Sequence, residues 1–491
     1  MRLSPLDLAI VGAYLIGITL FGIRFRRGQH DLRDYFLGGR TAPWWALAFS
    51  IVATETSTLT IIGTPALAYA GNLGFLQLVI GYLVGRVLIT LLFIPHYFRG
   101  EFYTAYQLIE KRFGRRMKSF AAATFLITRA LAEGVRIAAI ALVVSVAFGT
   151  GQRTSVVLIM LLTLIYTFEG GMKAVIWTDV IQLVIYLTGS FVAFVLLLEK
   201  IPGGWTEVTR VAAAAGGKLR VFDFTFSLTR TYTFWSGVLG GTFLTMASHG
   251  TDQTIVQRLL AARSQRESKL ALLSSGVIIL AQFALFLVLG VMLYAYHGAP
   301  AVVPGKSYDW VFPEFVVSQM PFGVRGLVIA AIFAVAMSNA SGSINSMAAS
   351  SVVDILHLRG RQHGDQTDQA RFLRLSRWMT LVWGAVLLLL GTVQWGPVLE
   401  AGLTIASITF GSLLGLFLLA TLNRRASARG ALSGMIAGLA LMLYVRFGTS
   451  LAWTWYVLVG TAATFLTGSL ASLLDRGAQP NAAAPLPTRT P

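Results

Sequence analysis

Residues 49–69 read FSIVATETSTLTIIGTPALAY, and the six at 53–58, ATETST, set the problem on which the fold turns. The flanks suit the middle of a membrane-spanning helix. Yet Thr54, Glu55, Thr56, Ser57 and Thr58 put five consecutive polar side chains around its whole circumference. No single packing face can absorb them, because successive helical residues point about 100° apart. Unsatisfied polar groups are costly in hydrocarbon, so the pattern predicts a local break in the helix. The freed carbonyls and half-helix ends of such a break can coordinate a cation or an ionic substrate. Back-bonding of hydroxyls to carbonyls one turn earlier would account for the threonines, but not for Glu55.

The rest of the chain fits a polytopic membrane protein. Its 491 residues are 55% hydrophobic and 12% charged, with a mean hydropathy of +0.70, which excludes a soluble globular domain. The absence of cysteine excludes a disulfide frame and a thiolate metal cluster. A net charge of +18 fits basic loops held on the cytoplasmic side better than nucleic-acid binding. Apolar runs long enough to cross about 30 Å of hydrocarbon predict thirteen spans, near 5–24, 44–69, 73–98, 119–149, 154–168, 174–199, 234–257, 270–296, 325–354, 378–395, 398–422, 430–447 and 453–474. With Met1 outside, the inward loops carry most of the basic residues, among them Arg24, Arg26, Arg27, Arg33 and Arg40, Arg112, Arg115 and Arg116, Arg359 and Arg361, and Arg424 and Arg425. The N-terminus is therefore expected outside and the C-terminus in the cytoplasm, at the cell membrane. The first span lacks a basic leader and a small-residue cleavage site, so it is expected to stay as a helix. The loops at 200–233 and 297–324 are long enough to cap an outer vestibule. The Pro- and Ala-rich end, 476–491, is expected to be a disordered cytoplasmic tail.

Further polar clusters lie at membrane depth. In SNASGSINS, Ser338, Ser341 and Asn345 recur at spacings of three and four and form one stripe of a helix. Close helix packing explains the small residues there, and an oxygen-seeking monovalent cation explains the hydroxyls; both readings stay open. Asp179, near the start of an apolar span, must pair with a base or meet a cation. Arg129, Glu133 and Arg136 share one helical face and can neutralise one another, while the surplus positive charge leaves an anion-binding role open. His249, Thr251, Asp252, Gln253 and Gln257 crowd the inner end of the seventh span around Gly250, which predicts a second broken helix. No nucleophile elbow or metal-ligand spacing accompanies this His and Asp, so catalysis is disfavoured.

At this point the sequence resembles the sodium/solute symporter family of sodium-coupled sugar, proline, sialic acid, iodide and monocarboxylate transporters. The resemblance runs from about Asp34 to Ala420. DYFLGGR with PWW, ATETSTLTIIG, GGMKAVIWTDVIQ, TDQTIVQR and SNASGSINS look like its signature stretches, in its order. It implies an all-α integral membrane protein with the leucine-transporter fold: one transporter domain over 1–475, with inverted five-helix repeats at about 44–199 and 234–422. It also implies a sodium ion held by the carbonyls of Ala53, Thr56 and Val335 and by side-chain oxygens of Ser338 and Asn339, although Asn339 stands where the family usually has Ser or Thr. Some members hold a second sodium at positions matching Asp179, Ser338 and Ser341, but the fourth partner position is Gly342, which has no side-chain oxygen. For the solute the resemblance points to Glu55, Ser57, Thr60, Gln77, Arg129, His249 and Asp252, with Arg129 in the place of an arginine that meets a carboxylate. Glu55 reads first as a residue on the cation side and second as an acceptor for the solute.

The function implied is a secondary active symporter that couples sodium influx to uptake of a small polar solute, carboxylate or sugar-like, by alternating access, with no bond made or broken. Proton coupling through Glu55 or Asp179 is the alternative within transport. A transporter-like ligand sensor is the alternative outside it, and the short segment after Leu474 leaves little room for an output domain. The expected partners are the solute, sodium ions and the lipid bilayer, with neither nucleic acid nor an obligate protein partner.

Overall fold

The computed structural model describes residues 3–25, 32–100, 102–302, 308–356, 366–393 and 398–475. The expected tail at 476–491, the loop residues Arg26, Arg27, Arg359 and Arg361, and part of the 297–324 loop lie outside the described residues. Helices follow as α1 (Pro5–Ile23), α2 (Leu32–Leu37), α3 (Trp44–Glu55), α4 (Thr58–Ala70), α5 (Leu76–Leu92), α6 (Ile94–Tyr97), α7 (Tyr106–Phe113), α8 (Arg115–Phe148) and α9 (Gln152–Lys200). After these come α10 (Gly204–Ala214), α11 (Phe234–Gly250), α12 (Gln253–Leu260), α13 (Gln265–Tyr296), α14 (Val311–Gln319), α15 (Val324–Ser350), α16 (Gln366–Gly391), α17 (Val398–Leu422), α18 (Ala428–Gly448) and α19 (Tyr456–Leu474). No strand occurs among the described residues.

Each predicted span overlaps helix among the described residues. Nine helices among the described residues are long and apolar enough to cross a bilayer, and the α3–α4 pair, bent by 60°, makes a tenth. The remaining expected spans, 119–149, 154–168 and 234–257, are helical but do not meet that measure alone. Arg129, Glu133 and Arg136 lower the apolarity of α8, and α11 stops at Gly250. The expected spans 154–168 and 174–199 share one helical run, α9, interrupted at Gly171. There φ is +56°, a left-handed value that costs glycine little because it has no Cβ.

Packing divides much of the molecule into two sets. Helices α3, α4, α5, α11 and α13 pack on one another, and α8, α9, α15 and α16 form a second set. A third group, α17, α18 and α19, packs on itself and against α8 and α11, chiefly through α17. Helix α15 is buried along almost its entire length. Its run of Ala, Ser and Gly lets neighbouring backbones approach, as small residues do between helices in lipid. At the start of α1, Asp7 is fully buried and accepts from Arg325 at 2.7 and 3.1 Å and from the backbone N–H of Gly323 and Gly326 at 2.8 and 2.9 Å. This clamp ties the first helix to α15.

The first set owes its closeness to glycine. Helix α11 crosses α5 so tightly that a Cβ on Gly241 would stand 2.2 Å from the carbonyl oxygen of Leu78. That neighbour is backbone and cannot turn aside, so the two helices would have to part. Gly241→Leu is expected to destabilise the protein by roughly 3 kcal/mol or more, at or above the usual cost of overpacking. Thermal unfolding of the purified protein in detergent would register this as a clear loss of melting temperature, and an unchanged melting temperature would contradict the packing described.

Candidate functional site

The break in span two falls where the polar run lies. Helix α3 ends at Glu55, and Thr56 leaves the helix at φ −72° and ψ 109° while its N–H still bonds to Val52 O at 2.8 Å. Ser57 begins the next half, with its N–H donating to Thr60 Oγ1 at 3.2 Å. The turn is fixed from α13, where Gln282 Nε2 donates to Thr56 Oγ1 at 2.7 Å and Tyr186 OH donates to Gln282 Oε1 at 3.2 Å. Thr54 is explained locally, since its hydroxyl donates to Ser50 O at 2.8 Å. The second break separates α11 from α12. Ala247 O accepts both Thr251 N and Asp252 N at 3.0 and 3.1 Å, and Asp252 Oδ1 caps the new helix through Thr254 N at 2.8 Å. Tyr97 OH donates to Gly250 O at 2.5 Å, which pins this break to α6.

Between the breaks lies a cavity of about 140 Å³. Its polar wall includes Glu55, Ser57, Thr60, Tyr82, Arg129, Arg136, Ser248, His249 and Asp252, and its apolar wall includes Phe75, Phe283 and Phe410. Glu55 is neutralised by Arg86, whose guanidinium is fully buried and also donates to Ser275 Oγ at 3.2 Å. The same carboxylate oxygen, Glu55 Oε2, lies 3.2 Å from His249 Nε2, and His249 Nδ1 lies 2.9 Å from Ser248 Oγ. On another wall Glu133 accepts from Arg136 at 3.1 Å and from Ser343 at 2.9 Å. Arg129 is held at one edge by Nε donating to Ser343 Oγ at 3.0 Å. Its terminal nitrogens reach Glu133 and Asp252 only at 3.6 and 3.8 Å, ion-pair rather than hydrogen-bond distances, and NH2 makes no hydrogen bond. The guanidinium therefore keeps donor capacity unspent.

Below the first break, α15 brings Val335, Ser338 and Asn339 against Thr56. Asn339 Nδ2 donates to Thr56 O at 2.5 Å and to Val335 O at 3.1 Å, and Ala53 is buried in the adjoining last turn of α3. Ser338 Oγ donates to Asp179 Oδ1 at 2.7 Å. Asp179 Oδ2 accepts from Ser50 Oγ at 2.5 Å and from Arg258 at 2.8 Å, all fully buried. Of the two fates open to Asp179, the structure gives it the base. Arg258 fits because Gly342 leaves room: a Cβ there would meet its guanidinium at 2.8 Å. Ser341 Oγ donates back to Ser338 O at 3.0 Å.

The residues expected from sequence are thus largely brought together. Gln77 stands apart from the cavity: its amide donates to Gly74 O and Tyr232 O at 3.1 and 3.3 Å and accepts from Asp223 N at 3.0 Å, tying α5 to the loop before α11. Arg86, Arg258, Ser343 and Gln282 were not anticipated as partners. For Arg86 a signal existed, because a lone arginine inside LQLVIGYLVGRVLITLL demands a buried carboxylate.

The "Sodium:solute symporter family" description matches residues 35–438. The chain is 32% identical to the sodium/sialic acid symporter NanT of Aliivibrio fischeri, over 93% of this chain and 91% of that one. It is also 32% identical to the human sodium/iodide cotransporter, over 89% of this chain and 68% of that one. Among solved structures, a substrate-bound, outward-open sodium-coupled sialic acid symporter superposes with a TM-score of 0.87 at 28% identity, covering 97% of this chain and 99% of that one. The fold extends to Mhp1, a nucleobase-cation-symport-1 family transporter, at a TM-score of 0.54 and 14% identity over 89% and 93% of the two chains.

The Glu55–Arg86 pair yields a direct test. Arg86→Leu leaves a carboxylate buried without its partner and is expected to cost about 3 kcal/mol, whereas Arg86→Leu with Glu55→Gln recovers much of that loss. A double-mutant cycle by thermal unfolding measures the coupling, and additive effects of the two substitutions would show that the pair is not the local charge balance.

Proposed function

The chain belongs to the sodium:solute symporter family, and from that premise we propose how its own residues carry out sodium-coupled solute symport by alternating access. As a multi-pass membrane transporter it moves its solute without making or breaking a bond. In our reading the protein resides in the cell membrane, with the N-terminus outside and the basic loops in the cytoplasm. The single transporter domain spans 1–475, with repeats at about 44–199 and 234–422, and it works in the bilayer without an obligate protein partner.

The solute is a small polar organic anion held in the cavity between the two breaks. The observation that carries this reading is Arg129: a guanidinium lining the cavity, 8% exposed, with one nitrogen free of hydrogen bonds. A carboxylate matches a guanidinium in charge and geometry. Ser57, Thr60 and Glu55, whose contacts to Arg86 and His249 are made through Oε2, offer acceptors for hydroxyls and amines, and His249 and Asp252 complete the wall. Gln77 acts at a distance by anchoring the loop before α11. Anionic solutes also fit the relatives, whose names specify sialic acid, iodide and monocarboxylates.

The sodium ion binds below the solute, among Ala53 O, Thr56 O, Val335 O, Ser338 Oγ and the Asn339 side chain. Carbonyls released by a helix break suit a hard monovalent cation. A second sodium at Asp179, Ser338 and Ser341 is disfavoured by the charge balance there. Asp179 already has a fully buried guanidinium against it, which answers its charge without a cation. We therefore assign one sodium per solute. Proton coupling through Glu55 or Asp179 is disfavoured on the same ground, since each carboxylate holds an arginine. In the cavity Arg86, Arg129 and Arg136 balance Glu55, Glu133 and Asp252 when His249 is neutral, so a sodium and a monoanion enter together without net charge.

Proteoliposomes given radiolabelled small carboxylates, sugars and amino acids test the reading. An inward sodium gradient is expected to drive uptake of a carboxylate with a sodium Hill coefficient near one. Arg129→Gln should raise its KM by roughly 30-fold, equivalent to about 2 kcal/mol of lost charge-assisted bonding. Uptake that ignores the sodium gradient, or a pH gradient alone that drives it, would sink the proposal.

A further inference from the structure

Asn339 stands where sodium needs an oxygen, yet it presents the donor end of its amide to the site. Nδ2 donates to Thr56 O at 2.5 Å and to Val335 O at 3.1 Å. Oδ1, in a residue only 1% exposed, has no hydrogen-bond partner. Thr56 O is the carbonyl that the helix break releases, and Asn339 supplies the hydrogen bond that the helix no longer does. The buried oxygen without a partner and the two carbonyls under the NH2 group belong to one small space.

A primary amide is a donor along one edge and an acceptor along the other, with almost the same shape. Its last torsion is broad and nearly two-fold, so a half-turn exchanges NH2 for oxygen without repacking. Turned in an empty site, Oδ1 would face two carbonyl oxygens and be repelled by both. With a cation among them, the same three oxygens become ligands. We infer that Asn339 is a two-state ligand: its NH2 takes the ion's place in the empty site, and its amide turns to offer Oδ1 when sodium arrives. The inference rests on the sodium reading of this site and adds a determinant of affinity to it.

Two consequences follow from the geometry. Sodium has to displace two internal hydrogen bonds, so this chain binds it more weakly than a hydroxyl at 339 would allow. In return, the empty carrier keeps a direct bond between the break and α15. A serine at 339 carries one proton against two and cannot bridge both carbonyls, and an aspartate has no donor edge at all.

The test compares wild type, Asn339→Ser and Asn339→Thr in two measurements, thermal unfolding titrated with NaCl against choline chloride, and the sodium half-saturation of uptake in proteoliposomes. Both variants are expected to lose melting temperature in choline chloride. Their sodium half-saturation should fall by about three- to tenfold, the change expected when one competing hydrogen bond disappears. Should Asn339→Ser not fold, Asn339→Thr, also with one hydroxyl proton, carries the same comparison. Half-saturation unchanged or raised in the variants overturns the inference, because Asn339 is then a fixed ligand or no ligand. If wild-type uptake is itself independent of sodium, the underlying site reading fails instead, so the two failures are distinguishable.

Discussion

A backbone carbonyl in hydrocarbon has no water to turn to, and much of this structure follows from meeting that constraint at two interrupted helices. Thr56 and Ser57 leave the helical path, and the groups they release are caught by side chains from elsewhere. Gln282 and Tyr186 hold the Thr56 hydroxyl, and Asn339 takes its carbonyl. At the second interruption Ala247 O serves two N–H groups and Asp252 caps the helix that follows. The interruptions are therefore rigid, and their rigidity is what makes a binding cavity out of them. A flexible gap would spread its carbonyls and lose the convergence that a small ion requires.

Charge obeys the same rule with higher stakes. Arg86, Arg129, Arg258 and Arg325 are all buried, and each has a carboxylate within ion-pair distance. The pairs differ in how fully they are satisfied. Arg258 with Asp179 and Arg325 with Asp7 make close hydrogen bonds at 2.8 and 2.7 Å, and they act as structural anchors. Arg129 stands 3.6 and 3.8 Å from its acids, and it lies in the cavity wall. Of these four, the incompletely paired guanidinium is thus the one that lines the cavity.

Sequence alone carried the architecture further than the connections. Five polar residues in a row at 54–58 exceed what one helix face can hide, so the first break could be read directly; Gly250 among His249, Thr251 and Asp252 marked the second. Glu133 between Arg129 and Arg136 was legible because the partners are three and four residues apart. Arg258 with Asp179 spans 79 residues and Arg86 with Glu55 spans 31, and no periodicity records such distances. Gln77 shows the opposite limit. A polar residue at the start of an apolar span looks like part of a cavity, but its amide is consumed by a loop whose path the local pattern does not describe. The donor-first orientation of Asn339 was equally invisible, since it depends on which carbonyls happen to face it.

The glycine crossing of α5 and α11 has a mechanical meaning for a carrier that must open alternately to either side. Backbones in such contact cannot slide, so the set containing α3, α4, α5, α11 and α13 has little internal shear available. Displacement is then concentrated where that set meets α8, α9, α15 and α16. Asn339 to Thr56 crosses this boundary, and Arg258 of α12 to Asp179 and Arg129 to Asp252 tie α9 and α8 to the second break, beside it. Polar links of this kind can be exchanged one at a time for water as a pathway opens, whereas interlocked methyl groups cannot. The slip plane expected from this packing runs along a polar, wettable surface, the same one on which the proposed ion and solute sites lie.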